Sequence, residues 1–119
     1  MGREIATRTS WKTKPLPVHR EQFDLPLVFD DSEGDKIRRG VIPREMEDKW
    51  FIFFEAGWLY FHRSWTGHCI FKLKLDGSPG GVRVTEAWAS RDPEQYGASD
   101  LESDKALIEH LIRELLLRD

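Results

Sequence analysis

Hydrophobic positions in this chain concentrate in the middle and at the C-terminal end, and the two regions repeat with different periods. After Lys49 the chain reads Trp50-Phe51-Ile52-Phe53-Phe54, then Glu55-Ala56-Gly57, then Trp58-Leu59-Tyr60-Phe61-His62-Arg63. Two β-prone runs around three residues ending in Gly predict a hairpin with a bulged three-residue loop, Gly57 taking the left-handed conformation. Ser64-Trp65-Thr66-Gly67 predicts a second turn. Residues 68–75 then alternate apolar side chains with Lys72 and Lys74, the pattern of a half-exposed strand. Residues 76–81 form a third turn and 82–89 a fourth strand, so 49–89 is an antiparallel meander.

Farther on the period lengthens. Leu107, Ile108, Leu111, Ile112, Leu115 and Leu116 recur at helical spacing, with Lys105–Glu109 and Glu109–Arg113 as i,i+4 pairs on the opposite side. Ser99-Asp100-Leu101-Glu102 matches a capping box, with Ser103 a second cap candidate. A helix over 100–118 must bury its stripe on the sheet. The N-terminal part is weaker in pattern. Residues 1–24, with Pro15 and Pro17, predict a polar arm with an extended middle. Residues 23–29 predict a strand that Pro26 pushes to an edge. Residues 30–35, charged and without apolar anchors, predict a loop, and 36–42 a short strand interrupted by Gly40 and ended by Pro43. The expected architecture is α+β: one domain over 1–119, an antiparallel meander sheet of about 4–6 strands, and one C-terminal amphipathic helix packed on one face.

With the bulged loop, Trp50, Ile52, Phe54, Trp58, Tyr60, His62, Cys69, Phe71 and Leu73 share one face of the sheet. Phe51, Phe53, Leu59, Phe61, Arg63, Ile70, Lys72 and Lys74 share the other. A change of one residue in the turn exchanges partners across the hairpin. In either register the first two strands are apolar on both sides, and one helix covers one side. The second face needs the N-terminal arm and early strands, another copy of the chain, or a ligand.

The chain has 119 residues, 39% of them hydrophobic, and a net charge of -3. That balance argues against nucleic-acid backbone binding, which needs a basic face. Charge is uneven: residues 1–20 carry a balance of +4, while 86–104 are acidic, so arm and acidic loop can attract each other. A single Cys excludes a disulfide framework and a multi-cysteine zinc module. The first residues lack a signal-peptide apolar stretch, Ala6 breaks the myristoylation pattern, and no apolar run reaches spanning length. A cytoplasmic protein without membrane contact is the expectation.

The densest set of functional groups runs from Tyr60 to Cys69. His62 and Cys69 become cross-strand neighbours if 64–67 is a turn, and a Cys–His pair can make a thiolate nucleophile. Against this, no third orienting residue is identifiable, and a lone Cys in an apolar strand is usually a small core residue. His62, His68 and Cys69 do not suit a metal, because adjacent strand residues point to opposite faces. Neither a metal nor a cofactor is called for. Trp58, Tyr60, His62, Arg63, Ser64, Trp65, Thr66 and His68 are candidate ligand-binding residues: aromatic faces beside Arg and hydroxyl donors suit a nucleotide or phosphate. In the structural alternative, Ser64 and Thr66 bond their own turn and Arg63 pairs with an acid. Glu45, Glu47 and Asp48 read as solvated.

The stretch Glu45-Met46-Glu47-Asp48-Lys49-Trp50-Phe51-Ile52-Phe53-Phe54, continued by Gly57-Trp58-Leu59-Tyr60-Phe61-His62-Arg63-Ser64-Trp65-Thr66-Gly67, resembles a small uncharacterised bacterial family. The resemblance covers about a third of the chain and implies an association with ADP-ribosyl hydrolases. The acidic metal-binding motifs of the ADP-ribosylglycohydrolases are not present, and the chain is short for their all-helical fold, so no catalytic residue carries over. Three functions are consistent with these residues: a non-catalytic module binding a protein partner or nucleotide-like ligand through the second turn; a small enzyme on a nucleotide or ADP-ribose-type substrate with His62 as acid or base; and a homodimer joined through the second sheet face.

Overall fold

A computed structural model describes residues 4–97 and 100–118. Six antiparallel strands and two helices make an α+β fold. The strands are β1 (Arg20–Phe23), β2 (Val28–Asp30), β3 (Trp50–Glu55), β4 (Trp58–Arg63), β5 (Cys69–Ser78) and β6 (Gly81–Ser90). The helices are α1 (Asp31–Arg39) and α2 (Leu101–Leu111), the latter continuing through a π turn over Ile112–Leu116. The sheet runs β1-β6-β5-β4-β3, and β2 pairs with the other end of β6. The meander and the C-terminal helix stand as the sequence pattern predicts.

Several expectations need correction. The first hairpin closes with two residues, Ala56 at φ 51° and Gly57 at φ 89°, so Glu55 pairs with Trp58. Losing one loop residue exchanges the partners: Ile52 faces Phe61, and Phe53 faces Tyr60. A bulge at Phe61/His62 then sets Phe61 against Phe71 and His62 against Cys69. One face therefore carries Trp50, Ile52, Phe54, Leu59, Phe61, Phe71 and Leu73, the other Phe51, Phe53, Trp58, Tyr60, His62 and Lys72. The third turn is also shorter than predicted, since β5 reaches Ser78 and β6 begins at Gly81.

Residues 31–39 form a helix in place of the predicted loop and strand. Asp30 Oδ1 accepts from the Glu33 backbone N–H at 2.8 Å, and Glu33 Oε1 accepts from the Asp30 N–H at 2.9 Å. Its apolar face is only Ile37 and Gly34, the latter set against Val82. So small a buried face leaves almost no hydrophobic period to read. Residues 23–29 divide into two strands, because Pro26 has no N–H and Leu27 N–H turns back to the Leu25 carbonyl at 2.7 Å. Asp100, not a serine, caps α2, accepting from the Glu102 N–H at 3.1 Å; the predicted cap Ser99 lies outside the described residues. Ser103 Oγ instead donates to the Asp100 carboxylate at 2.9 Å. Lys105 turns to Glu102 rather than Glu109, while the Glu109–Arg113 pair forms at 3.0 Å.

Two covers seal the sheet. Ile108, Leu111, Ile112 and Leu116 pack with Ile37 on the first face. The N-terminal arm takes the second, where Ala6 packs with Phe51 and Phe53, all essentially buried. Ala6 N–H donates to the Arg39 carbonyl, and Lys14 N–H to the Gly67 carbonyl, each at 2.8 Å. The arm's cation Arg8 pairs with Glu55 at 2.7 Å, not with the acidic 86–104 segment. Among the described residues no helix is long and apolar enough to cross a membrane.

Gly40 ends α1 at φ 65°, ψ -161°, backbone that only Gly adopts readily, and a Cβ there would collide with the Ile52 carbonyl. Gly40→Ala is expected to lower stability by about 3 kcal/mol, against about 1 kcal/mol for Gly57→Ala in its open turn. Urea unfolding of the two variants checks this, and equal losses would contradict it.

Candidate functional site

The predicted ligand residues divide across the sheet. Tyr60 and His62 lie beneath the arm with ring centroids 6.3 Å apart, while Arg63 stacks over Trp50 at 5.1 Å on the helix side. Arg63 therefore does not converge with Tyr60 and His62, because neighbouring strand residues alternate faces. Trp58 is capped by the Lys72 ammonium at 4.2 Å. Thr66 Oγ1 accepts from the His68 N–H at 3.2 Å, a bond within its own turn.

His62 and Cys69 are cross-strand partners, as expected, but both are sealed. The His62 ring stacks on Phe53 at 5.5 Å, its Nδ1 bonds the Gly67 carbonyl at 2.8 Å, and its Nε2 is buried without a partner. Burial pushes the imidazole pKa below its ordinary value; the Gly67 bond opposes this, and the Arg8 charge adds to it. Burial likewise pushes the Cys69 thiol up to about 12, so it stays protonated at neutral pH. Among the described residues no three His, Cys, Asp or Glu side chains gather as a metal would require.

The second turn instead builds a groove with two segments the sequence pattern does not single out. Ser64 is the junction. Its Oγ donates to the Asp48 carbonyl at 2.7 Å, its N–H donates to the Lys49 carbonyl at 2.8 Å, and its own carbonyl accepts the Trp11 indole N–H at 2.7 Å. The Trp65 indole N–H donates to the Met46 carbonyl at 3.0 Å. Asp48 fixes the intervening turn by accepting from the Arg44 N–H at 2.9 Å. The result is a cleft of about 400 Å³ lined by Trp11, Lys12, Arg44, Glu45, Met46, Ser64 and Trp65. Trp65 is 57% exposed, Met46 73% and Trp11 38%, three large apolar side chains in one place. Lys49 stands over one face of the Trp65 ring at 4.4 Å. Lys12 and Arg44 have no acidic partner among the described residues.

Of the predicted set, Ser64 and Trp65 belong to this groove and the others do not. Trp11, Lys12, Arg44 and Met46 were missed, and Glu45 was read as solvated. Trp11 and Met46 each signalled themselves as a large apolar side chain standing alone in a polar segment, Met46 also lying in the stretch that carries the family resemblance.

No family model matches the chain, and neither curated proteins nor solved structures give a match.

Two outcomes follow for the sealed pair. Cys69 is expected to resist iodoacetamide at mildly alkaline pH in the native protein and to react once urea unfolds it; rapid native alkylation would show an exposed thiolate. For His62 the folded pKa is depressed, so the unfolded chain takes a proton that the folded one refuses. Stability therefore falls as the pH drops through about 6.5 toward the depressed folded value. Urea midpoints taken between about pH 7 and 5 should decline. His62→Gln should flatten that decline, and an unaltered slope would refute the assignment.

Proposed function

We propose that the protein is a non-catalytic binding module that holds a segment of a protein partner in the groove framed by Trp11, Met46 and Trp65. One observation carries this reading: both indole N–H groups are engaged by backbone carbonyls, which fixes the rings while leaving apolar surface open to solvent. A rigid aromatic surface exposed in advance loses little entropy on contact, which is why tryptophans anchor interfaces. Met46 adds an adaptable wall that accommodates different side chains.

A nucleotide-like ligand is the second reading, with ADP-ribose the form favoured by the sequence resemblance. It draws support from Lys12 and Arg44, cations without an acidic partner among the described residues, beside the open ring surfaces. An acid–base role for His62 lacks an accessible nitrogen. Self-association through the second sheet face loses its driving force where the arm already covers Phe51 and Phe53. A cytoplasmic location fits a chain with one unpaired thiol and belongs to this proposal.

The test is selection of a random dodecapeptide phage library on the wild-type chain and on a Trp65→Ala/Met46→Ser variant. Both substitutions are at exposed positions, so thermal stability should change little. Clones enriched on the wild type that fail on the variant support the proposal. Identical enrichment on both overturns it. A thermal shift with ADP-ribose that Arg44→Ala abolishes would transfer the groove to the nucleotide reading.

A further inference from the structure

The groove does not end at Trp65. Arg44 also lines a second cleft, of about 250 Å³, on the far side of the 44–48 turn, where Val41, Trp50, Leu111 and Leu115 supply apolar walls. Arg44 is thus part of the lining of both recesses. Arg44 is held in place by its backbone: Asp48 Oδ2 accepts from the N–H of Arg44 at 2.9 Å and of Glu45 at 3.3 Å. On the other side, Val41 and Ile52 exchange backbone bonds at 2.9 and 3.0 Å, fixing the wall of the second recess.

Charge defines what can cross between them. Two of the carboxylates that line these recesses are already used: Asp48 on backbone N–H groups, and Glu114, at the far recess, on Arg118 at 3.0 Å. Arg44 and Lys12 are left as cations without an acidic partner among the described residues. Glu45 and Glu47 flank the same turn, one in each recess. A polyanion spanning both recesses would meet both of them, so a ligand with a single carboxylate suits this surface better. Placing like charges against wrong ligands is how such surfaces discriminate.

We infer that the partner segment is an extended peptide with one acidic residue between two hydrophobic anchors, the acid on Arg44, one anchor among Trp11, Met46 and Trp65, and the other against Trp50 and Leu115. The inference rests on the proposed function and adds to it the chemistry of the ligand. A compact ligand fills one recess and leaves the other open; an extended chain, at about 3.3 Å per residue, is the form that reaches both.

The experiment repeats the dodecapeptide selection with an Arg44→Glu variant, whose changed side chain is exposed. Wild-type clones should show Asp or Glu flanked on both sides by Leu, Ile, Phe or Trp. The Arg44→Glu clones should show Lys or Arg at the same place. Synthetic peptides from the wild-type pool, measured by calorimetry, should weaken about tenfold when the acid is made neutral, and again when the second anchor is replaced by Gly. Clones that depend on Trp65 but carry no acid, or that are unchanged by Arg44→Glu, overturn this inference and leave the binding module intact. Selections that never depend on Trp65 overturn both.

Discussion

A sheet whose central strands are apolar on both sides cannot persist in water with one cover, and the structure follows from that constraint. Phe61 and Phe71 are buried toward the helices, Phe51 and Phe53 toward the arm. Burying a side chain of this size is worth about 2–3 kcal/mol, so uncovering Phe51 and Phe53 alone would remove much of the margin that keeps a domain of this size folded. The arm is accordingly a structural layer. Its grip combines Ala6 in the core, backbone bonds to Arg39 and Gly67, and the Arg8 guanidinium lying over Phe53 at 5.1 Å and Tyr60 at 5.2 Å while it pairs with Glu55.

The same layer contributes Trp11 and Lys12 to the groove, which ties binding to folding. Trp11 reaches the site only because the arm crosses the end of β4, where Ser64 accepts its indole hydrogen. The Gly67 carbonyl accepts both from Lys14 in the arm and from His62 in the sheet, each at 2.8 Å. A single turn thus holds the arm, the buried imidazole and the exposed Trp65. Within the Tyr60–Cys69 segment the imidazole and the thiol are therefore buried, the former sharing its acceptor carbonyl with the arm, while Trp65 stays open to solvent.

What was legible in the sequence was whatever a period records. Two-sided apolar strands, the alternation through Lys72 and Lys74, and the leucine stripe of α2 each bury many side chains and leave a repeating signature. Features resting on one or two atoms were not legible. The hairpin register turned on Ala56 accepting a left-handed conformation, against the preference that favoured a longer loop. Helix α1 announced itself only through the Asp30–Glu33 box, hidden in a run of acidic residues that also reads as a loop. The groove depended on indole edges meeting backbone carbonyls far away in sequence, Trp11 with Ser64 and Trp65 with Met46, and no local pattern encodes that.

The second recess depends in turn on how α2 is held against the sheet, and a buried charge does that holding. Asp104 is fully buried, yet its carboxylate accepts from Arg91 Nη2 and from the Tyr96 hydroxyl, both at 2.6 Å. Arg91 also donates to Glu21 on β1 at 2.8 Å, so the guanidinium joins the first strand, the end of β6 and the helix. Hydrophobic burial is non-directional, whereas a carboxylate with two fixed donors adds a directional constraint on where α2 sits. Removing Arg91 would leave the Asp104 charge buried and uncompensated, a strongly unfavourable state, so the helix has one favoured position along its axis. Leu111 and Leu115, two and three turns farther along, inherit that position, and with it the shape of the recess beside Arg44.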